Sequence, residues 1–132
     1  MTLTRVAIVL VLTTAAGCGG SGGEPTPVPS AHCYADMFEP EPMGVLPAGT
    51  AVVTLRMKTD RDVFCRWSLT EGLIYIDLET PFAETGGREH STPVTGLAPG
   101  PHRLFAKCGD AVDRQTDCST PHDLIFIFSI AE

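Results

Sequence analysis

From Val45 onward, apolar and polar positions alternate in short runs separated by turn signals. In "AVVTLRMK", Val53, Leu55 and Met57 fall on one face, and Thr54, Arg56 and Lys58 on the other. A period of two is that of a half-buried strand, because successive side chains leave opposite faces. "VFCRWSL" sets Val63, Cys65, Trp67 and Leu69 inward against Phe64, Arg66 and Ser68. "HRLFAKC" puts His102, Leu104, Ala106 and Cys108 on one face, and "LIFIFSI" forms the last strand. "GLIYIDLE" is apolar enough for a short strand or an irregular stretch. Gly86-Gly87 signals a turn, and Pro93 in "HSTPVTGL" marks an edge or a bulge, since proline has no N–H for a ladder.

No stretch keeps a 3.6-residue apolar period, and no internal repeat is present, so helix should be scarce. About seven short strands in about 100 residues predict an all-β, seven-stranded antiparallel sandwich. A single sheet of that length would leave an apolar face wet, whereas two packed sheets bury both.

The first thirty residues break this pattern. Arg5 is followed by the apolar run "VAIVLVLTTAAG" and then by small residues, the order of a secretory signal. Val6 to Gly17 is twelve residues, too short for the roughly 20 that a membrane-crossing helix needs. "GGSGGEPTPVPS" begins flexible and ends stiff, as a tether would. The expected organisation is a signal peptide over 1–17, a cysteine-headed tether over 18–32 and the sandwich over 33–132.

"AAGC" resembles the lipobox of bacterial lipoproteins, with Ala16, Gly17 and Cys18 matching and Ala15 where leucine is usual. The resemblance implies cleavage before Cys18 and a diacylglyceryl thioether on its sulfur. The membrane then becomes a partner through the lipid. Gly19, rather than aspartate, follows the cysteine, which in double-membraned bacteria implies the outer membrane.

Charge narrows the partners. Removal of residues 1–17 leaves 16 acidic and 8 basic residues, Arg5 being lost. An excess of carboxylates disfavours nucleic acid, which needs clustered Lys and Arg. With Cys18 lipidated, Cys33, Cys65, Cys108 and Cys118 remain, an even number that predicts two disulfides in an oxidising compartment. Zinc is not expected, because there is no C-x-x-C pair. Three connectivities are possible. A sandwich that starts on an edge strand would bring Cys33 near Cys118, in the loop before the last strand.

"LPAGTAVVTLRMKTD", "CRWSL" and "HSTPVTGLAPGPHRLFAKCGDA", in that order, resemble a bacterial fibronectin type III-like or immunoglobulin-like module over Leu46 to Ile130. That resemblance makes the "CRWS" and "FAKC" strands neighbours, and so implies a Cys65–Cys108 bond. The antibody pattern itself does not transfer, since Cys65 and Trp67 share one strand here.

No chemistry rises above this background. His90 and Ser91 are adjacent on a strand and face opposite ways, so they form no nucleophile–base pair. His102 is expected to cap a sheet edge. Glu39, Glu41, Glu71, Asp77, Glu79 and Glu84 read as scattered. Asp110, Asp113 and Asp117 share a loop without an EF-hand spacing. No cofactor, metal or catalytic residue is expected. Phe64 and Phe105 point away from the cysteine face and could form one ligand patch. The sequence therefore predicts a non-catalytic structural or protein-interaction module of the cell envelope, with a carbohydrate-binding accessory module as the alternative. Its partner would be an envelope protein or a polysaccharide.

Overall fold

The computed structural model describes residues 33–132. Among them there is no α-helix. Eight strands form a three-stranded and a five-stranded sheet whose inner faces pack together. The three-stranded sheet has the order β1 (Met37–Glu41), β3 (Val52–Thr59), β6 (Glu89–Thr95). The five-stranded sheet has the order β2 (Gly44–Leu46), β8 (Leu124–Ile130), β7 (Gly100–Gly109), β4 (Phe64–Ser68), β5 (Thr80–Pro81).

The alternation read in β3 is the alternation found. Val53, Leu55, Met57 and Thr59 are buried, and the residues between them are exposed. Val94 from β6 joins them against Cys65, Leu104, Ala106, Cys108, Phe126, Phe128 and Ile130 from the five-stranded sheet. This contiguous apolar layer is the core, and its removal from water is the main driving force for closing the two sheets.

Two features differ from the expected seven antiparallel strands: there are eight strands, and one of them runs parallel to its neighbour. The chain leaves β1 at Glu41 and enters β2 at Gly44, after only Pro42 and Met43, and so steps from one sheet to the other. It arrives running in the same direction as β8, which makes β2–β8 a parallel pair. The step uses Gly44 at φ +85°, a backbone region that a side chain disfavours. "GLIYIDLE" gives a 3₁₀ turn over Tyr75–Asp77, and the two-residue β5 follows it. Leu69, expected inward, lies past the end of β4 and is 60% exposed.

All four sheet edges are blunted. Pro40 lies in β1, Pro81 in β5 and Pro93 in β6, and the short β2 is flanked by Pro42 and Pro47. Pro93 fits its edge for a specific reason. The Ser91 N–H donates to the Glu84 carbonyl, and the Glu84 N–H donates back to Ser91, so the main chain of Ser91 faces away from β3. Two residues on, the nitrogen of Pro93 faces the same way, where no β3 carbonyl awaits a donor.

Cys65 and Cys108 stand directly opposite each other on β4 and β7, are disulfide-bonded, and have Cα atoms 4.0 Å apart. An antiparallel ladder brings Cα atoms this close only at non-hydrogen-bonded pairs. The surrounding bonds show that this is one. The Cys65 N–H donates to Thr85 Oγ1, and the Phe82 N–H donates to the Cys65 carbonyl. The Cys108 N–H donates to Thr120 Oγ1, and the Thr120 N–H donates to the Cys108 carbonyl. All four main-chain groups thus turn outward and leave the side chains facing each other. The second disulfide joins Cys33 to Cys118 across a separation of 85 residues. Two disulfides in one small domain place it in an oxidising, extracytoplasmic compartment. No helix among the described residues is long and apolar enough to cross a membrane.

Candidate functional site

The outer faces of the two sheets carry different chemistry. On the five-stranded sheet, Phe105 and Lys107 of β7 and Ser68 of β4 point outward yet are buried. The segments 69–79 and 110–123 fold over them and bury Tyr75, Leu78, Ser119 and Thr120. Polar bonds fasten this cover. Lys107 Nζ donates to the Leu73 carbonyl at 2.6 Å and faces the Asp123 carboxylate at 3.6 Å. The other Asp123 oxygen accepts from the Gly72 N–H. Arg66 donates to the carbonyls of Leu78 and Val112, and so ties the two segments together. Gly109 allows the closest approach, because a Cβ there would lie 2.9 Å from Ser119 Oγ and 3.1 Å from the Tyr75 ring. Burial pushes the Tyr75 phenol above its ordinary pKa.

The outer face of the three-stranded sheet is open and charged. Glu41, Arg56 and Ser91 form one cross-strand row, and Phe38, Lys58 and Glu89 form the next. Between Phe38 and Glu41 the register of β1 shifts, and Glu39 adopts φ +53°. The shift swings the Glu39 carboxylate over the sheet, where it meets Lys58 Nζ at 2.7 Å. That bond holds the Lys58 amine above its ordinary pKa. A cavity of about 430 Å³ runs along this face past Glu39, Glu41, Arg56, Lys58, Glu89 and Ser91. A second, of about 610 Å³, shares Glu39, Glu41 and Arg56 with it and continues past Pro42, Met43 and Thr54. The two form one groove with Arg56 at the junction. Among the described residues no hydrogen bond or ion pair holds the Arg56 guanidinium.

The structure distributes the sequence-predicted site residues as follows. Cys18, its lipobox and the tether lie outside the described residues. The expected Phe64–Phe105 ligand patch does not form. Phe105 lies opposite Ser68, whereas Phe64 lies opposite Gly109, four positions along the pair. Phe105 is 4% exposed, beneath the Arg103 guanidinium at 5.6 Å and the folded-back cover. Phe64 is half-buried against the 86–87 turn, where a Cβ on Gly86 would come within 3.1 Å of its ring. Glu39, Glu41 and Glu84 are not scattered, since all three line the groove.

While the half-buried Ser91 points to the outer face of β6, His90 is buried on the inner face. Its Nε2 lies 2.9 Å from Thr59 Oγ1 and its Nδ1 lies 2.8 Å from Thr85 Oγ1. Thr59 donates its own hydroxyl hydrogen to the Arg61 carbonyl, so Nε2 carries the imidazole proton and donates to Thr59. Nδ1 is then the acceptor, taking the Thr85 hydroxyl hydrogen at 2.8 Å in preference to the Val63 carbonyl, which lies at 3.4 Å. Burial holds the His90 pKa below its ordinary value. His102 is bonded through Nε2 to the Ala98 carbonyl at 2.6 Å and stacks near Phe128. Asp110 accepts from the Thr116 hydroxyl. Among the described residues no three His, Cys, Asp or Glu side chains gather closely enough to hold a metal ion.

Arg56, Lys58 and Glu89 were missed as site residues. Alternation already put Arg56 and Lys58 on the wet face, but the β1 bulge that builds a groove around them has no signature in the sequence.

No family model matches this chain, and no curated protein matches it. One solved structure that it resembles is a crystal structure of an engineered protein, with 15% identity and a TM-score of 0.48. That likeness covers 77% of this chain and 21% of the other, so this chain spans about a fifth of that protein's length.

Proposed function

We propose that this chain is a lipid-anchored lipoprotein of the bacterial cell envelope, and that its domain is a non-catalytic interaction module of the fibronectin type III-like or immunoglobulin-like kind. The observation that carries the reading is the Cys33–Cys118 bond. Cys33 follows directly on the tether that begins at the lipobox cysteine, Cys18. A pull transmitted from a membrane through residues 18–32 therefore loads a covalent bond, not the hydrogen bonds of β1. A domain built to hold a partner while tethered needs that.

The disposition of reactive side chains favours binding over catalysis. Both nitrogens of His90 are engaged by threonine hydroxyls, and Lys107 and Asp123 are spent on fastening the cover. Module order supports the fold type, because the quoted motifs fall on β3, β4, β6 and β7 in sequence. The two acyl chains of a diacylglyceryl thioether on Cys18 would anchor firmly, each buried CH₂ contributing about 0.8 kcal/mol.

The test is membrane fractionation with mass spectrometry of the mature N-terminus. An acylated Cys18 in the outer-membrane fraction, and release or stalled processing of Cys18→Ser, are the expected results. An unmodified Cys18 inside the mature chain would sink the anchor.

A further inference from the structure

We propose that the groove across the outer face of β1, β3 and β6 binds a neutral polysaccharide strand, with Arg56 as its central hydrogen-bond donor. The proposal rests on reading the domain as a binding module and not on the lipid anchor.

Three observations carry it. First, the groove is long and open at the surface, with two cavities of about 430 and 610 Å³ meeting at Arg56, a shape that suits a segment of a polymer. Second, its lining alternates strong donors and strong acceptors. Arg56 and Lys58 lie on the central strand, and Glu39, Glu41, Glu84 and Glu89 lie to either side. Each sugar hydroxyl both donates and accepts, so it is satisfied between a guanidinium and a carboxylate. A polyanion would meet four carboxylates. A polycation would have to lie across the unpaired Arg56 at the centre of the groove, Lys58 being paired with Glu39. A neutral polyhydroxyl chain meets neither obstacle. Third, Arg56 offers five N–H donors that no described protein group uses, and its planar fork matches a pair of neighbouring hydroxyls. Phe38 does not line either cavity, but it stands directly opposite Lys58 on the same open face, 40% exposed, where a chain reaching past Lys58 would find an apolar surface for a pyranose ring.

The experiment is affinity electrophoresis of the full chain in detergent, through gels holding a β-1,4-glucan, glycol chitin, xylan, mannan or an α-glucan, with heparin and polylysine as charged alternatives. Retardation by at least one neutral glycan is expected. Arg56→Ala should weaken it about ten- to hundredfold, the loss that a hydrogen bond to a charged group corresponds to. Phe38→Ala should weaken it less, and Ile127→Ser on the other sheet should leave it unchanged. Arg56 is exposed, so its loss should not unfold the domain, and an unshifted melting temperature checks that. Three results would overturn the proposal: no retardation by any neutral glycan, equal retardation of Arg56→Ala, or retardation by heparin or polylysine alone. Failure here leaves the anchored reading standing. Conversely, glycan binding by a chain that proves unanchored would sink that reading alone.

Discussion

The two sheets bury their inner faces alike and treat their outer faces in opposite ways. The five-stranded sheet folds its own loops over Phe105, Lys107 and Ser68, and its long polar side chains are consumed in holding those loops down. The three-stranded sheet leaves Arg56, Lys58 and Glu89 in solvent, with the Arg56 fork unengaged. Side chains of the same types thus serve stability on one face and stay available on the other. What decides between the roles is whether a loop folds back, not the residue type.

This contrast can be broken from either side. The largest effect is expected in the five-stranded sheet. The double substitution Cys65→Ala, Cys108→Ala removes a link across a separation of 43 residues, which by chain entropy is worth about 4 kcal/mol. That is a large share of the roughly 5–15 kcal/mol that stabilises a domain. Trp67 packs against the same core, so reduction of the parent should raise its emission as the neighbouring disulfide quencher is lost. A double mutant that melts within a degree or two of the parent would contradict this.

Next comes the fastening of the cover. Lys107→Ala strands the Asp123 carboxylate, only 11% exposed, without its countercharge, and should cost about 3 kcal/mol by denaturant titration. Lys107→Met, which keeps the apolar stem, should recover part of the packing but not the bond to Leu73.

A shallower effect belongs to His90. Its folded pKa is depressed by burial, so the unfolded chain binds the proton more readily. Stability is therefore complete above the ordinary histidine pKa of about 6.5 and declines as pH falls below it. Denaturation midpoints at pH 7.5 and 5.5 should show this decline, and His90→Gln should flatten it. Asp60 acts in a separate window. The Asp36 N–H donates to it and holds its pKa below 3.8, so its contribution is lost only in stronger acid.

The smallest effect is expected on the open face. Lys58→Met breaks the exposed Glu39 bond and should leave the melting temperature unmoved, since such pairs contribute little. A marked drop would mean that the open face is structural after all.

Where alternation has one wet face, the sequence read true. β3 and the start of β7 show it residue by residue, and Pro93 marked its edge. The reading failed where both faces are dry. From Leu104 to Gly109 every residue of β7 is buried. A period of two cannot announce that, because Lys107 and Phe105 look like solvent positions until a loop distant in sequence folds over them. Tyr75 was hidden for the same reason. Its stretch has no periodicity, and its burial depends on Gly109 and Ser119 arriving from elsewhere. The groove was half visible. Arg56 and Lys58 stood on the wet face, but the register shift after Phe38 that brings Glu39 over the sheet is a property of pairing, not of spacing.

The prolines at the four edges bear on crowding. On the anchored reading, copies of this chain share a two-dimensional surface, which crowds neighbours more than free solution does. Sheets with open borders would knit together at such densities, copy adding to copy through unpaired main-chain groups. A proline at or beside each border denies a newcomer a continuous run of donors. The chain can therefore be displayed densely while each copy keeps its charged face turned to other molecules rather than to its own kind.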